Sequence, residues 1–135
     1  MARYAGTDLY VAWIYTGGTV DLSADYRSLS TNEEVNDIDA SAGDDTYVDH
    51  LPALADASAE LEFLDTTGAT GSTQWVAIAP RTEGTLQWDP EGTASGYSWS
   101  AAAYVQTRSR EIPYDDVVSV SATFQLTAEP SMSAN

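Results

Sequence analysis

The chain has 135 residues and a formal net charge of −16, because it carries 21 Asp and Glu but only five basic residues, all of them Arg. One domain of about 100–200 residues is expected, covering 1–135. The charge excludes a protein that grips nucleic acid by neutralising phosphates, and the absence of Cys excludes thiol catalysis and thiolate metal sites.

Alternation of apolar and polar residues predicts β-strands through most of the chain. Residues 8–15 form the first candidate strand. Its apolar side chains fall on both faces, so both faces must be buried against other parts of the protein or another subunit. Gly17 and Gly18 predict a tight turn into a strand at 19–22, and a short strand is predicted at 26–30.

Residues 31–54 show no convincing period and predict a long acidic loop. Of the 21 acidic residues, 13 lie between Asp21 and Asp65. An irregular connection of this length inside a compact domain is usually functional.

Part of this loop invites a calcium interpretation, because Asp37, Asp39 and Ser41 match the first three ligand positions of an EF-hand loop. The match then fails, since Ala42 stands where the sharp turn needs Gly and Val48 where a bidentate Glu is required. A solvated or inter-subunit acidic loop is therefore the favoured interpretation.

One helix is predicted at 71–80, capped by Ser72 or Thr73 and ended by Pro80. Trp75, Ile78 and Ala79 would form its apolar stripe against the sheet. The other predicted elements are strands at 59–64, 85–88, 97–106 and 118–126, a turn at 107–114 that joins the last two as a hairpin, and a free tail at 128–135.

These elements predict a mainly β fold, an antiparallel β-sandwich or barrel with one flanking short α-helix and a long loop. The first residues lack a basic region followed by an apolar run, so no secretory signal is expected. The apolar runs are also too short for a membrane span of about 20 residues.

Catalysis is not favoured by the residues present. The adjacent carboxylate pairs Asp115–Asp116 and Glu60/Glu62 fit the wet faces or ends of strands, and His50, the only His, has no nucleophile motif beside it. We expect no enzyme, no cofactor and no metal.

The aromatic residues leave a binding alternative open. A β-sandwich can present aromatic side chains as a platform that stacks on sugars, so a carbohydrate-binding module is the second hypothesis. Core or interface positions are the simpler explanation, because the four Trp lie on the apolar faces of strands or on the helix stripe: Trp13, Trp75, Trp88 and Trp99.

The order of the parts resembles a known family. A strand apolar on both faces is followed by the acidic loop, a strand, a short helix, another strand and a final strand that opens with Pro and two Asp. In this order they are similar to the small major tail proteins of long-tailed bacteriophages, over residues 3–129, through the stretches 47–52, 57–64, 74–75, 83–92 and 112–118.

The resemblance implies a structural virion protein, a tail tube subunit that assembles into stacked hexameric rings around a DNA channel. It implies as further partners a tape measure protein and tail terminator or tip proteins, with DNA passing without specific binding and no membrane. The protein would be located in the virion tail after assembly in the host cytoplasm.

The family places a ring-to-ring contact in the long loop, and Arg is suited to fixing subunit contacts against carboxylates. An acidic lumen would keep DNA from adhering as it slides. The candidate inter-subunit residues are Arg27, Arg81, Arg108, Arg110, Asp37, Asp39, Asp44, Asp45 and Tyr47.

Overall fold

A computed structural model describes residues 6–23, 26–39, 42–43 and 50–135. A 3₁₀ turn at Gly6–Asp8 precedes eight strands and one α-helix. These are β1 Tyr10–Tyr15, β2 Gly18–Asp21, β3 Tyr26–Asp39, β4 His50–Leu64, α1 Gly68–Ala77, β5 Glu83–Asp89, β6 Tyr97–Glu111, β7 Ser119–Leu126 and β8 Ser131–Ala134.

All eight strands belong to one antiparallel sheet, in which seven follow the order β2-β1-β5-β6-β7-β4-β3 and β8 pairs with β6. Strand β6 is long enough to take two partners along one side. Its second half pairs with β7, and its first four residues pair with β8. The predicted hairpin between β6 and β7 is confirmed.

The sheet is strongly curled, and one aromatic pair demonstrates this. The rings of Trp13 on β1 and Phe124 on β7 lie 4.8 Å apart, although β5 and β6 separate these strands in the sheet. Three strand spacings would hold them about 14 Å apart in a flat sheet. The two walls therefore face each other across one core, as the predicted mainly β fold requires.

The core is built by the alternating apolar residues that the sequence pattern singles out. Each of β1, β2, β4, β5, β6 and β7, together with the helix region, contributes buried side chains to one cluster. Its larger members are Val11, Trp13, Leu22, Leu61, Phe63, Ile78, Leu86, Trp88, Val105, Val120, Phe124 and Leu126.

The prediction of an irregular loop at 31–54 is wrong for the described residues. Strands β3 and β4 pair with each other as far out as Asp39 and His50, whereas β7 reaches only Ala57 of β4. The outer part of this hairpin, 34–39 with 50–56, is therefore a two-stranded arm beyond the sheet. Residues 31–35 are exposed, so no buried face imposes the apolar alternation by which strands are recognised.

The helix is confirmed in type but displaced toward the N-terminus. It spans Gly68–Ala77 with Thr67 as N-cap, and Thr67 makes no side-chain capping bond. Its buried residues are Gly71, Gln74 and Ala77. Of the predicted stripe, Ile78 is fully buried as the C-cap residue and Trp75 packs partly buried against the core. Gly71 is required there, because a Cβ at this position would collide with the carbonyl oxygen of Thr66.

Two connections at the C-terminal side also differ from prediction. Strand β6 continues to Glu111, so the turn to β7 occupies 112–118 rather than 107–114. Residues 131–134 are strand β8 rather than a free tail, and Asn135 donates its side-chain amide to the carbonyls of Gly92 and Ser95 at 3.0 and 3.1 Å. The sequence pattern did not predict this strand, because none of its residues is buried and no apolar face marks it.

Candidate functional site: an acidic sheet face and an arginine clamp

The strand residues that alternate with the core form the convex outward face of the sheet. Cross-strand register defines its rows, for example Ser30, Glu60 and Thr123. Most of its members are Ser, Thr, Gln or Ala. Its carboxylates are Asp21, Glu34, Asp56, Glu60, Glu62, Glu83, Asp89 and Glu111.

No Arg belongs to this outward face among the described strand residues, and two β-bulges account for this. The first interrupts β6 between Val105 and Thr107. After it, Arg108 and Arg110 stand opposite the core residues Ala122 and Val120. A bulge inserts one residue and so exchanges the faces of every later side chain. Without it, both Arg would lie on the acidic face.

The second bulge interrupts β3 between Tyr26 and Ser28, so Arg27 is the extra residue. Arg27 is exposed and lines a pocket with Tyr26, Leu29 and Trp88, whose side chains lie on the concave side. Among the strand residues that the structure describes, the two bulges thus take Arg27, Arg108 and Arg110 out of the regular rows of the outward face.

The pKa of Tyr10 reports the negative charge of the outward face. Partial burial raises it above the ordinary value of 10.0, and the neighbouring carboxylates of Asp21 and Asp89 raise it further. Asp89 is itself buried, and the side-chain amide of Gln87 donates to its two carboxylate oxygens at 3.4 and 3.5 Å.

The two Arg side chains that the β6 bulge turns inward clamp the helix to the sheet. The guanidinium carbons of Arg108 and Arg110 each lie 4.1 Å from the ring centroid of Trp75. Arg108 also donates to the backbone carbonyl of Trp75 at 2.6 Å, and Arg110 forms an ion pair with Asp65 at 3.3 Å. On the opposite wall, Trp13 Nε1 donates to the Ala77 carbonyl at 2.9 Å.

We expect Arg108→Ala to lower the free energy of unfolding by about 1–2 kcal/mol, since it removes a stacking contact and a charged hydrogen bond to Trp75. Denaturant unfolding followed by Trp fluorescence measures this. The matched control is Arg81→Ala, because Arg81 is exposed and makes no side-chain contact of this kind. Equal losses in the two variants would contradict the clamp.

The remaining predicted contact residues fall in three places. Arg81 follows the helix, and its backbone N–H donates to the Val105 carbonyl at 2.8 Å. Asp37 and Asp39 belong to β3 in the arm, which does not have the loop geometry of an EF-hand. Asp44, Asp45 and Tyr47 lie outside the described residues.

Sequence reasoning missed the clamp because it treated Arg108 and Arg110 as turn residues. The spacing of Arg108 and Arg110 could have indicated that they act together, since residues at i and i+2 lie on one face of a strand. The bulge decides whether that face is the core side or the outward side.

The described residues give little support to catalysis by paired carboxylates or to metal binding. Glu60 and Glu62 lie in the outward face, and Asp115 and Asp116 lie in the exposed 112–118 turn. No cluster of three or more acidic or His side chains suited to a metal occurs within the described part of the chain. None of its helices is long and apolar enough to cross a membrane.

The Trp side chains do not form an exposed stacking platform. Trp13 and Trp88 are buried in the core, the Trp75 ring is in contact with the guanidinium groups of two Arg, and Trp99 is half-buried opposite Trp88. The carbohydrate-binding alternative is accordingly not favoured.

Comparison with known proteins identifies the fold. No protein-family model and no curated protein sequence matches the chain. The SPP1 tail tube is similar to it with a TM-score of 0.76 and 12% identity, over 98% of this chain and 80% of that one.

Two further structures agree. The tail of an empty GTA particle, refined with C6 symmetry, gives a TM-score of 0.72 and 14% identity over 98% of this chain and 100% of that one. The sheath–tube complex of an extracellular contractile injection system gives 0.71 and 12% over 98% and 93%. The chain therefore has the fold found in these tail and tube assemblies.

Proposed function

We propose that this protein is a tail tube subunit, a structural protein that self-assembles into stacked hexameric rings and conducts DNA through their lumen. The observation that carries the proposal is the fold likeness, because it extends over 98% of the chain rather than over a common substructure. The C6 symmetry of the GTA tail supports six copies in a ring. The proposed role requires neither catalysis nor a cofactor.

Lateral assembly would use the two edges of the sheet. Strands β2 and β3 end the strand order and have one neighbour each. A 14-residue edge such as β3 presents unpaired backbone groups that soluble proteins normally protect. Joining the sheets of neighbouring subunits would satisfy these groups and produce one continuous barrel.

In this assembly the outward face of the β4–β7 wall, which carries Glu60 and Glu62, would line the lumen. Six copies at −16 each give a ring a formal charge of −96, and this wall presents Glu60 and Glu62 with no Arg among its described outward-facing strand residues. Phosphates are then repelled along the whole channel, so that DNA slides without adhering. A ring whose lumen was lined by Arg would contradict this arrangement.

Axial assembly would use the arm. It projects beyond β7 and carries Asp37 and Asp39, with Asp44, Asp45 and Tyr47 next along the chain. We assign these residues to ring-to-ring contacts, and Arg27 and Arg81 to contacts with carboxylates of other subunits. Arg108 and Arg110 would contribute while holding Trp75 within their own subunit.

The completed tube would end on terminator and tip proteins and enclose a tape measure protein during assembly in the host cytoplasm. The mature location would be the virion tail. Specific DNA binding and membrane contact have no part in this function.

Negative-stain electron microscopy of the purified protein tests the proposal. We expect tubes or rings of hexamer size. The measurement discriminates because a glycan-binding module would stay monomeric and show saturable Trp fluorescence changes with sugars. Monomers at all concentrations would refute the tube.

A further inference from the structure

A pocket on the concave side of the sheet has an apolar floor and a cationic rim. Its volume is 390 Å³, and it is lined by Leu9, Tyr26, Leu29, Trp88 and Pro90, with Arg27 among the lining residues. It suits one aromatic side chain with the residues that flank it.

Arg27 is an unusual residue for this protein. The chain has more than four acidic residues for each Arg, yet no described carboxylate pairs with the exposed Arg27 guanidinium. A cation beside an apolar pocket recognises an aromatic or aliphatic group that carries a neighbouring negative charge. The pocket therefore selects an occupant of that chemistry.

The turn 112–118 at the end of β6 has this chemistry. Tyr114 is 100% exposed, and Ile112 and Val117 are 70% and 53% exposed. Asp115 follows Tyr114 directly, while Asp116 accepts a hydrogen bond from the backbone N–H of Val117 at 2.7 Å. An aromatic side chain in full solvent contact beside a free carboxylate is unfavourable for a monomer and typical of a contact residue.

We infer that the 112–118 turn of one copy docks into the Arg27 pocket of a second copy, with Tyr114 against the partly buried Tyr26 and Leu29 and Asp115 against Arg27. Because Tyr114 is 100% exposed, the turn does not fill the pocket of its own chain. The pairing is heterologous, since each copy offers a turn on one surface and a pocket on another, and such contacts build rings or filaments. This inference rests on the proposed function and names the partner surfaces within it.

A charge exchange between two chains tests the contact. Arg27→Glu and Asp115→Arg are each expected to raise the protein concentration at which assembly begins by at least tenfold, because like charges then meet at every contact. An equimolar mixture of the two variants is expected to regain assembly within about threefold of the wild type. In the mixture, each altered charge meets an opposite charge on the other chain. Light scattering with sedimentation measures the threshold.

Two controls belong to this experiment. When Asp115→Arg is mixed with Arg81→Glu, sedimentation should leave the Asp115→Arg chains in the supernatant, because Arg81 lies outside the pocket and the substituted turn still meets Arg27 in every pocket. Tyr114→Ser should raise the threshold about tenfold, whereas Tyr97→Ser, at a half-exposed residue outside the turn, should not. Thermal unfolding of each variant establishes that it is folded before its assembly is compared.

The outcomes separate this inference from the tube itself. The docking alone is overturned if the wild type forms tubes and the single variants assemble as well as it does. It is also overturned if the single variants are impaired and their mixture does not regain assembly. Rescue of oligomers that are not tubes supports the docking and overturns the tube. A wild type that remains monomeric overturns both.

Discussion

Trp13→Ala is expected to lower the free energy of unfolding by about 4 kcal/mol, the largest stability loss that we predict for a single residue. Trp13 is fully buried and packs its ring 4.8 Å from that of Phe124 on the opposite wall. Its indole N–H also holds the helix through the Ala77 carbonyl. The substitution therefore leaves a cavity between the two walls and an unsatisfied carbonyl at the end of α1.

Equilibrium denaturation in urea measures this loss. Trp13→Phe should recover most of the packing and lose about 1–2 kcal/mol through the missing hydrogen bond and the smaller ring. Trp99→Ala is the matched control, because Trp99 is a strand Trp that is only half-buried, and it should cost clearly less. If Trp13→Ala and Trp99→Ala lowered the free energy of unfolding by equal amounts, the curled two-walled core would be wrong.

The sequence predicted those parts of the fold in which one face is buried. In β7, Val120, Ala122, Phe124 and Leu126 are all buried and alternate with partly exposed residues, as the period-two pattern predicted. The arm and β8 escaped prediction for the converse reason. Their described side chains lack a buried face, and backbone pairing alone stabilises them as strands, which leaves no apolar period to detect.

The sequence predicted that the candidate site is acidic, but it did not predict on which face of the sheet the Arg residues lie. Counting residues sufficed to indicate an acidic surface, and alternation placed Glu60 and Glu62 on the wet face. The count could not show that the outward face is free of Arg. That property depends on bulges at Arg27 and beyond Val105, and one inserted residue changes the face without changing the composition.

The double substitution Glu60→Lys/Glu62→Lys is expected to convert a tube that rejects DNA into one that retains it. Both residues lie in the outward face, opposite Thr123 and Ser121 of β7, so neither substitution breaks an ion pair. The two substitutions change the net charge of each chain by +4. Sixfold repetition in each ring then places a dense cationic band along the proposed lumen. Retention should weaken steeply between about 50 and 200 mM salt, as counterion release requires.

Co-sedimentation of short duplex DNA with assembled tubes, followed by nuclease treatment, measures both the binding and its location. DNA retained in a lumen is protected from the nuclease, whereas DNA on the outer surface is digested. Glu129→Lys/Glu91→Lys carries the same charge change at exposed residues outside the outward face, and it should give no protected DNA. Protection in this control but not in the Glu60/Glu62 variant would place a different surface in the channel, because only lumen residues can hold DNA beyond the reach of the nuclease.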